Sequence, residues 1–254
     1  MKQKYNAFTL AEVLITLGII GVVAALTLPS VVANYQKKVW VAQLKETYSI
    51  LSQGFQKMLS DDGVDKLSDT EIWSNLSDNC NQDSSNCGNF VNSLQKYFDI
   101  TRDTEKSKYT ITEYMGRGGN HSYENNGYFF KLKNGVTLIY YTFYKTPREK
   151  TSEECLFIKS NGGQMCSVIG YWLSLDINGF KHPNQYGRDI FVFYLSNEGK
   201  LFPMGGTDYS RYETSGYIAG SNRWNVYGTS CIDGDNLARS CAGQIMEQGW
   251  QMNY

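Results

Sequence analysis

From Phe8 to Leu28 the chain is apolar or small at nearly every position, with one carboxylate, Glu12, inside the run and Pro29 closing it. At a helical rise of 1.5 Å per residue this run measures about 32 Å, close to the ~30 Å hydrocarbon thickness of a bilayer. Past Pro29 the pattern changes period. Val41, Leu44, Tyr48, Leu51, Phe55 and Met58 recur at spacings of three and four, while Lys37, Lys38, Lys45, Glu46, Gln53 and Lys57 mostly fill the other side. That is one apolar stripe on a helix. Asp61-Asp62-Gly63 reads as its end, with Gly63 supplying a left-handed cap. The expected element, Phe8 to Leu59, is about 78 Å long if helical throughout. Pro29 has no amide to donate, so a kink or a locally unwound turn is expected there.

Between Ser60 and Asn126 the pattern is weak: a short helix over Phe90–Phe98 and a strand over Lys108–Tyr114 are the readings it supports. Further on, Tyr128–Lys133 and Val136–Tyr144 are β-rich runs separated by Asn134-Gly135, a strong hairpin signal. Val168–Ile177 reads as a strand. Ile190–Leu195 and Lys200–Phe202, joined by Ser196-Asn197-Glu198-Gly199, read as a second hairpin. Asn236–Gln248 has a helical flavour. An antiparallel sheet laid on the C-terminal half of the long helix is the simplest arrangement, which makes the fold class α+β.

The charges around the apolar run decide its meaning. Met1–Ala7 carries Lys2 and Lys4 and no acid, which keeps this leader on the cytoplasmic side and exports the chain beyond Pro29. A secretory signal has its small-residue cleavage site after its apolar region; here the small residue, Ala7, precedes it. A carboxylate within a membrane span costs a few kcal/mol, so Glu12 calls for a partner. A cut between Ala7 and Phe8 would create a cationic amine four residues from it, on this chain or on a neighbour. A plain uncleaved anchor, or a secretory signal cut after Ala33 in Val31-Val32-Ala33, explains the length but not the placement of Glu12.

These residues resemble the signature of the type IV pilin and type II secretion pseudopilin family: a short basic leader, a cut, Phe, three residues, Glu and an apolar helix. The resemblance implies that a prepilin peptidase removes residues 1–7 after Ala7 and that the new terminus, Phe8, is methylated. It also implies that Glu12 neutralises the amine of an adjacent subunit, and that Pro29 is the proline common at that place. The family's usual residue before the cut is Gly, where this chain has Ala7. The chain then divides into four segments: the cleaved leader 1–7, a transmembrane and assembly half 8–29, an amphipathic half 30–60, and an exported globular domain 61–254. The implied partners are other pilin or pseudopilin subunits, an inner-membrane platform protein, an assembly ATPase and membrane lipid before assembly.

Composition narrows the remainder. There are 24 Lys and Arg against 25 Asp and Glu, so the chain lacks the basic footprint of a nucleic-acid partner. All six cysteines, Cys80, Cys87, Cys155, Cys166, Cys231 and Cys241, lie beyond the apolar run. Export would place them where disulfides persist. Spacing does not fix connectivity, and the expectation is the sequence-local couples 80–87, 155–166 and 231–241. No CxxC occurs, and His121 and His182 are too few for a metal cluster. Gly116-Arg117-Gly118-Gly119 lacks the phosphate-loop pattern and reads as a turn.

The stretch Asp176–Phe191, DINGFKHPNQYGRDIF, resembles a loop of exported pilin-like proteins, and so does the ending Cys241–Tyr254 with its Gly249-Trp250. Some major pseudopilins bind calcium in such a loop, and Asp176, Asn178 and Asp189 offer hard oxygen ligands. Gly187 stands where an EF-hand needs its Glu, and a tight Asx turn asks for the same residues. The structural turn is the expected reading, with calcium the alternative and no other cofactor expected. No GxSxG, HExxH or Walker pattern is present, so catalysis finds no support. The function expected is a structural subunit of a type II secretion pseudopilus or type IV pilus. A tip subunit for adhesion or DNA uptake is the alternative, and an anchored exported enzyme the weakest reading.

Overall fold

The computed structural model describes residues 9–74, 76, 93–102, 110–111, 121–122, 128–140, 143–149, 157–158, 164–165, 167–179, 181–203 and 241–254. The chain divides into two compact units, Met1–Val39 and Trp40–Tyr254. Helix α1, Leu10–Asp62, is a single 53-residue element. It continues through Pro29, so the unwound turn allowed for at that proline does not occur. Gly63, at φ 66°, ends it. The Gly63 amide donates to the Ser60 carbonyl and the Val64 amide to the Leu59 carbonyl, which is the paired closure of a Schellman cap.

In the second unit, the apolar stripe of α1 is buried at Val41, Leu44, Leu51, Phe55, Met58 and Leu59. Each such side chain removed from water contributes about 1.5–3 kcal/mol. Tyr48 is half-buried, its ring 5.8 Å from that of Phe193 and 5.7 Å from that of Trp250. After a 3-10 turn at Leu67–Asp69 comes a short α2, Glu71–Ser74. Of the short helix expected over Phe90–Phe98, one turn is formed, with Phe98 N–H donating to Leu94 C=O; residues 90–92 lie outside the described residues.

Eleven strands come next in the described residues. β1 (Ile100–Arg102), β4 (Tyr128–Leu132), β5 (Thr137–Tyr140), β9 (Ser167–Asp176), β10 (Ile190–Ser196) and β11 (Leu201–Pro203) lie side by side in that order, and β6 (Phe143–Glu149) also pairs with β9. Every pairing in this seven-stranded sheet is antiparallel. β2 (Thr110–Ile111) pairs with β3 (His121–Ser122), and β7 (Phe157–Ile158) with β8 (Gln164–Met165). Of the strand expected over Lys108–Tyr114, Thr110 and Ile111 form β2 and the rest lies outside the described residues; the run Val136–Tyr144 contributes to β5 and β6. Gly116–Gly119 falls outside the described residues. α3 (Cys241–Glu247) closes with Gly249 and Trp250 at positive φ.

Both hairpin turns are three-residue loops. Gly135 N–H donates to Leu132 C=O and Leu132 N–H to Val136 C=O, with Gly135 at φ 89° and Asn134 at an ordinary φ. Gly199 N–H donates to Ser196 C=O and Ser196 N–H to Lys200 C=O, with Gly199 at φ 68°. Only the last residue of each loop is left-handed, as in a type I turn with a G1 bulge. Both turns reach α1. Asn134 Nδ2 donates to Thr47 Oγ1 at 3.1 Å, and Gln56 Nε2 donates to the Glu198 and Gly199 carbonyls, each at 3.1 Å.

The described residues of β5, β9 and β10 are buried on both faces of the sheet. Leu138, Leu175, Phe191 and Phe193 occupy one face, the side on which Tyr48 packs; Ile139, Ser174, Ile190 and Val192 occupy the other, and all are buried. At the β1–β4 edge one face is wet: Lys131 is exposed between buried Phe130 and Leu132, opposite exposed Thr101. The unbroken burial of β10, Ile190–Ser196, comes from its nearly continuous apolar sequence.

Candidate functional site

The first described turn of α1 is a polar knot on an apolar rod. Thr9 precedes the first helical residue, and its N–H and Oγ1 both donate to Glu12 Oε2, at 2.8 and 2.7 Å. Glu12 N–H donates back to Thr9 Oγ1 at 3.3 Å, and Val13 N–H reaches Thr9 C=O at 3.3 Å. This is a capping box: residue and carboxylate three apart satisfy each other's amides where the helix has no carbonyl to offer. Its sequence signal is T-L-A-E, Thr9 to Glu12, a pattern that reading Glu12 only as a charge does not reveal. Every hydrogen bond that Glu12 accepts within the described residues goes to Oε2; Oε1 takes none.

From Val13 to Leu28 no charged side chain interrupts the helix, and its surface is apolar or small on every side but for Thr16 and Thr27. Leu10, Leu14, Ile15, Leu17, Ile19, Ile20 and Leu26 are each at least 60% exposed within the chain. A helix without a polar side belongs in lipid or among other helices. It is the one helix, among the described residues, long and apolar enough to cross a membrane. Ala7 and Phe8 lie outside the described residues. Pro29 lies within the helix, and the neighbouring Thr27 and Ser30 hydroxyls donate to the Val23 and Thr27 carbonyls, both at 2.9 Å.

Asp176, Asn178 and Asp189 meet in one loop, in which both aspartates are buried and Asn178 is half-buried. Asp176 ends β9, and its Oδ1 accepts the Asn178 amide at 3.3 Å. Asp189 is fully buried; its Oδ2 accepts the Asn184 N–H at 2.8 Å and its Oδ1 the Gln185 N–H at 2.6 Å. Burial pushes the Asp189 carboxyl above its ordinary range, and donors from Gln185, Asn184 and Asn178 pull it back part of the way. Asn184, at φ 49°, and Gly187, at φ 77°, bend the loop, and Tyr254 Oη donates to Gly187 C=O at 2.8 Å. The carboxylate oxygens of Asp189 face backbone amides, and calcium takes six to eight oxygen ligands. Among the described residues no three His, Cys, Asp or Glu side chains group to hold a metal.

Cys241, at the start of α3, is fully buried and disulfide-bonded. The other five cysteines lie outside the described residues, and so do the three expected couples. Trp250 is half-buried against Tyr48, with Lys45 Nζ 5.9 Å from its ring centre.

An apolar helix capped by Thr9 and Glu12, succeeded by an α+β unit, defines a class: a chain with one membrane-competent N-terminal helix and a pilin-like arrangement of helix and antiparallel sheet. The particular signature is found at residues 2–28, which match the prokaryotic N-terminal methylation motif. The chain therefore carries the type IV pilin and pseudopilin signature. No curated protein and no solved structure matches it.

Proposed function

We propose that the chain is the precursor of a filament subunit of a secretion pseudopilus or type IV pilus, cut after Ala7 and methylated on the amine of Phe8. The observation that carries this reading is the methylation motif over residues 2–28, lying on a helix that no charged side chain interrupts from Val13 to Leu28. Such a helix has lipid as its solvent before assembly and the helices of other copies after it. Cleavage frees an amine beside the capping box. Thr9 holds one carboxylate oxygen of Glu12 and leaves Oε1 for the amine of a docking subunit, so the charge of each is met in a low-dielectric setting. Repeated head-to-tail, this contact gives an open helical filament. The peptidase, platform protein and assembly ATPase act from outside the chain.

Glu12→Ala tests the reading. Processing at Ala7-Phe8 survives, because the cut lies outside the capping box, while incorporation into filaments falls at least tenfold by immunoblot of sheared filaments. Wild-type incorporation of this variant contradicts the proposed role. The loop at Asp176, Asn178 and Asp189 is read as a brace for the sheet rather than a calcium site, supported by the amides that face Asp189. A thermal melt unchanged by millimolar calcium agrees with that reading, and a calcium-dependent rise in Tm overturns it.

A further inference from the structure

Two membrane registers suit the apolar helix, and they place different residues in oil. Setting Phe8–Leu28 in the hydrocarbon sinks Glu12 about one turn below the surface and leaves Val31 and Val32, 62% and 54% exposed, outside it. Setting Val13–Val32 there also spans about 30 Å, and it moves Glu12 and Thr9 out to the headgroups while covering both valines. Three hydroxyls lie in the hydrocarbon in this second register, Thr16 and Thr27 as in the first and Ser30 in addition, and each is already satisfied. Thr16 Oγ1 donates to Val13 C=O, Thr27 Oγ1 to Val23 C=O and Ser30 Oγ to Thr27 C=O, all at 2.9 Å. Such local pairing is what a lipid-facing helix requires of its polar atoms.

The far end then fits the second register. Tyr35, 70% exposed, lies about 4.5 Å beyond Val32 along the axis. That is within the interfacial layer where tyrosine is enriched. Lys37 and Lys38 come next at about 8–9 Å, within reach of phosphates by extending their stems. No Asp or Glu occurs anywhere from residue 13 to residue 45, so no carboxylate on this stretch of helix repels an anionic surface. Lys45 stacks on Trp250; half-buried Lys37 and exposed Lys38 are the first cations after the span.

Resting on the membrane reading above, we propose that Tyr35, Lys37 and Lys38 are a headgroup anchor for anionic phospholipid on the side opposite the leader. This anchor sets the helix with Val13–Val32 in the hydrocarbon. It stops the helix from sliding away from the leader side, which would draw Glu12 and its Thr9 brace into the hydrocarbon.

The test is a depth profile of the full chain in vesicles. Single cysteines introduced from position 16 to 26 and at 35 are spin-labelled, and their accessibility to oxygen and to a water-soluble nickel complex is compared. In vesicles of phosphatidylcholine with one third phosphatidylglycerol, the deepest label is expected at Val22–Val23, with position 35 at the interface. Lys37→Gln with Lys38→Gln moves the deepest point toward the N-terminus, in the direction of Gly18, by about one turn, ~5 Å; in phosphatidylcholine alone the two profiles coincide. A wild-type profile deepest at Gly18 in the anionic vesicles, or a variant profile unmoved in them, overturns the anchor while leaving membrane insertion intact. Uniform access of the nickel complex to positions 16–26 overturns the membrane reading itself.

Discussion

At the scale of single residues, the decisive pair is Thr9 and Glu12. The box they form satisfies the amides of Thr9 and Glu12 and aims a carboxylate at the helix end. Thr9→Val removes the hydroxyl and its bonds at a cost of about 1 kcal/mol to the helix start, and filament yield is expected to fall with processing intact. Thr9→Ser restores the yield; a Thr9→Val variant with wild-type filaments shows that the brace plays no part. Asp189 makes the second case. Asp189→Ala leaves two backbone amides without an acceptor and is expected to cost about 1–3 kcal/mol in a denaturant melt. The pH dependence comes from the raised carboxyl of Asp189. Its native state takes up the proton at a higher pH than the unfolded chain does, so its contribution to stability grows as pH falls through the native value and is complete below the unfolded one. Against Asp189→Asn, wild type therefore gains stability as pH is lowered from neutrality; a constant difference between the two argues against this. Asp61 runs the other way, since its bond to Lys57 lowers its pKa; its contribution is present above the unfolded value and is lost on acidification through the native one.

Among elements, α1 is the most legible in sequence, because two different apolar patterns and a terminal Gly63 each have a local cause. It starts at Leu10, two residues past the expected Phe8, because the hydrophobic run masks the Thr9 cap. The hairpins at Asn134-Gly135 and Glu198-Gly199 are visible for the same local reason. Each loop nevertheless takes three residues, and this frees the Asn134 side chain to reach Thr47. Less legible is the order of strands. β9 pairs with β5, β6 and β10, and neither the partners nor the bulges between Phe193 and Ser196 are encoded in any short window. Composition alone points to the asparagine and aspartates of the Asp176–Asp189 loop; that Asp176 and Asp189 accept from backbone amides while Asn178 Oδ1 is buried with no hydrogen bond among the described residues depends on the fold of the loop. Helix α1 and the turn that ends at Phe98 meet so closely at Gly54 that a Cβ there would run into the Phe98 ring. Gly54→Ala is expected to destabilise the second unit by about 1–3 kcal/mol, read as a lower denaturant midpoint with Ala7-Phe8 processing unchanged. An unshifted midpoint shows that Phe98 moves aside freely.

In the whole molecule, a methylation motif lies on an apolar helix and an α+β unit follows it; the proposed function makes the first two the means of assembly and the last the exported part. Deletion of the gene, scored separately for secretion, twitching, adhesion and transformation, is expected to abolish secretion or twitching; loss of adhesion or transformation alone favours the tip-subunit alternative. The central claim is that the motif at residues 2–28 is cut and modified, and the mass and N-terminal sequence of the mature product in cells that contain the peptidase test it most directly. The expected product is a chain beginning at Phe8 and carrying one methyl group on its amine. A product that still begins at Met1, or one that begins after Ala33, contradicts the claim.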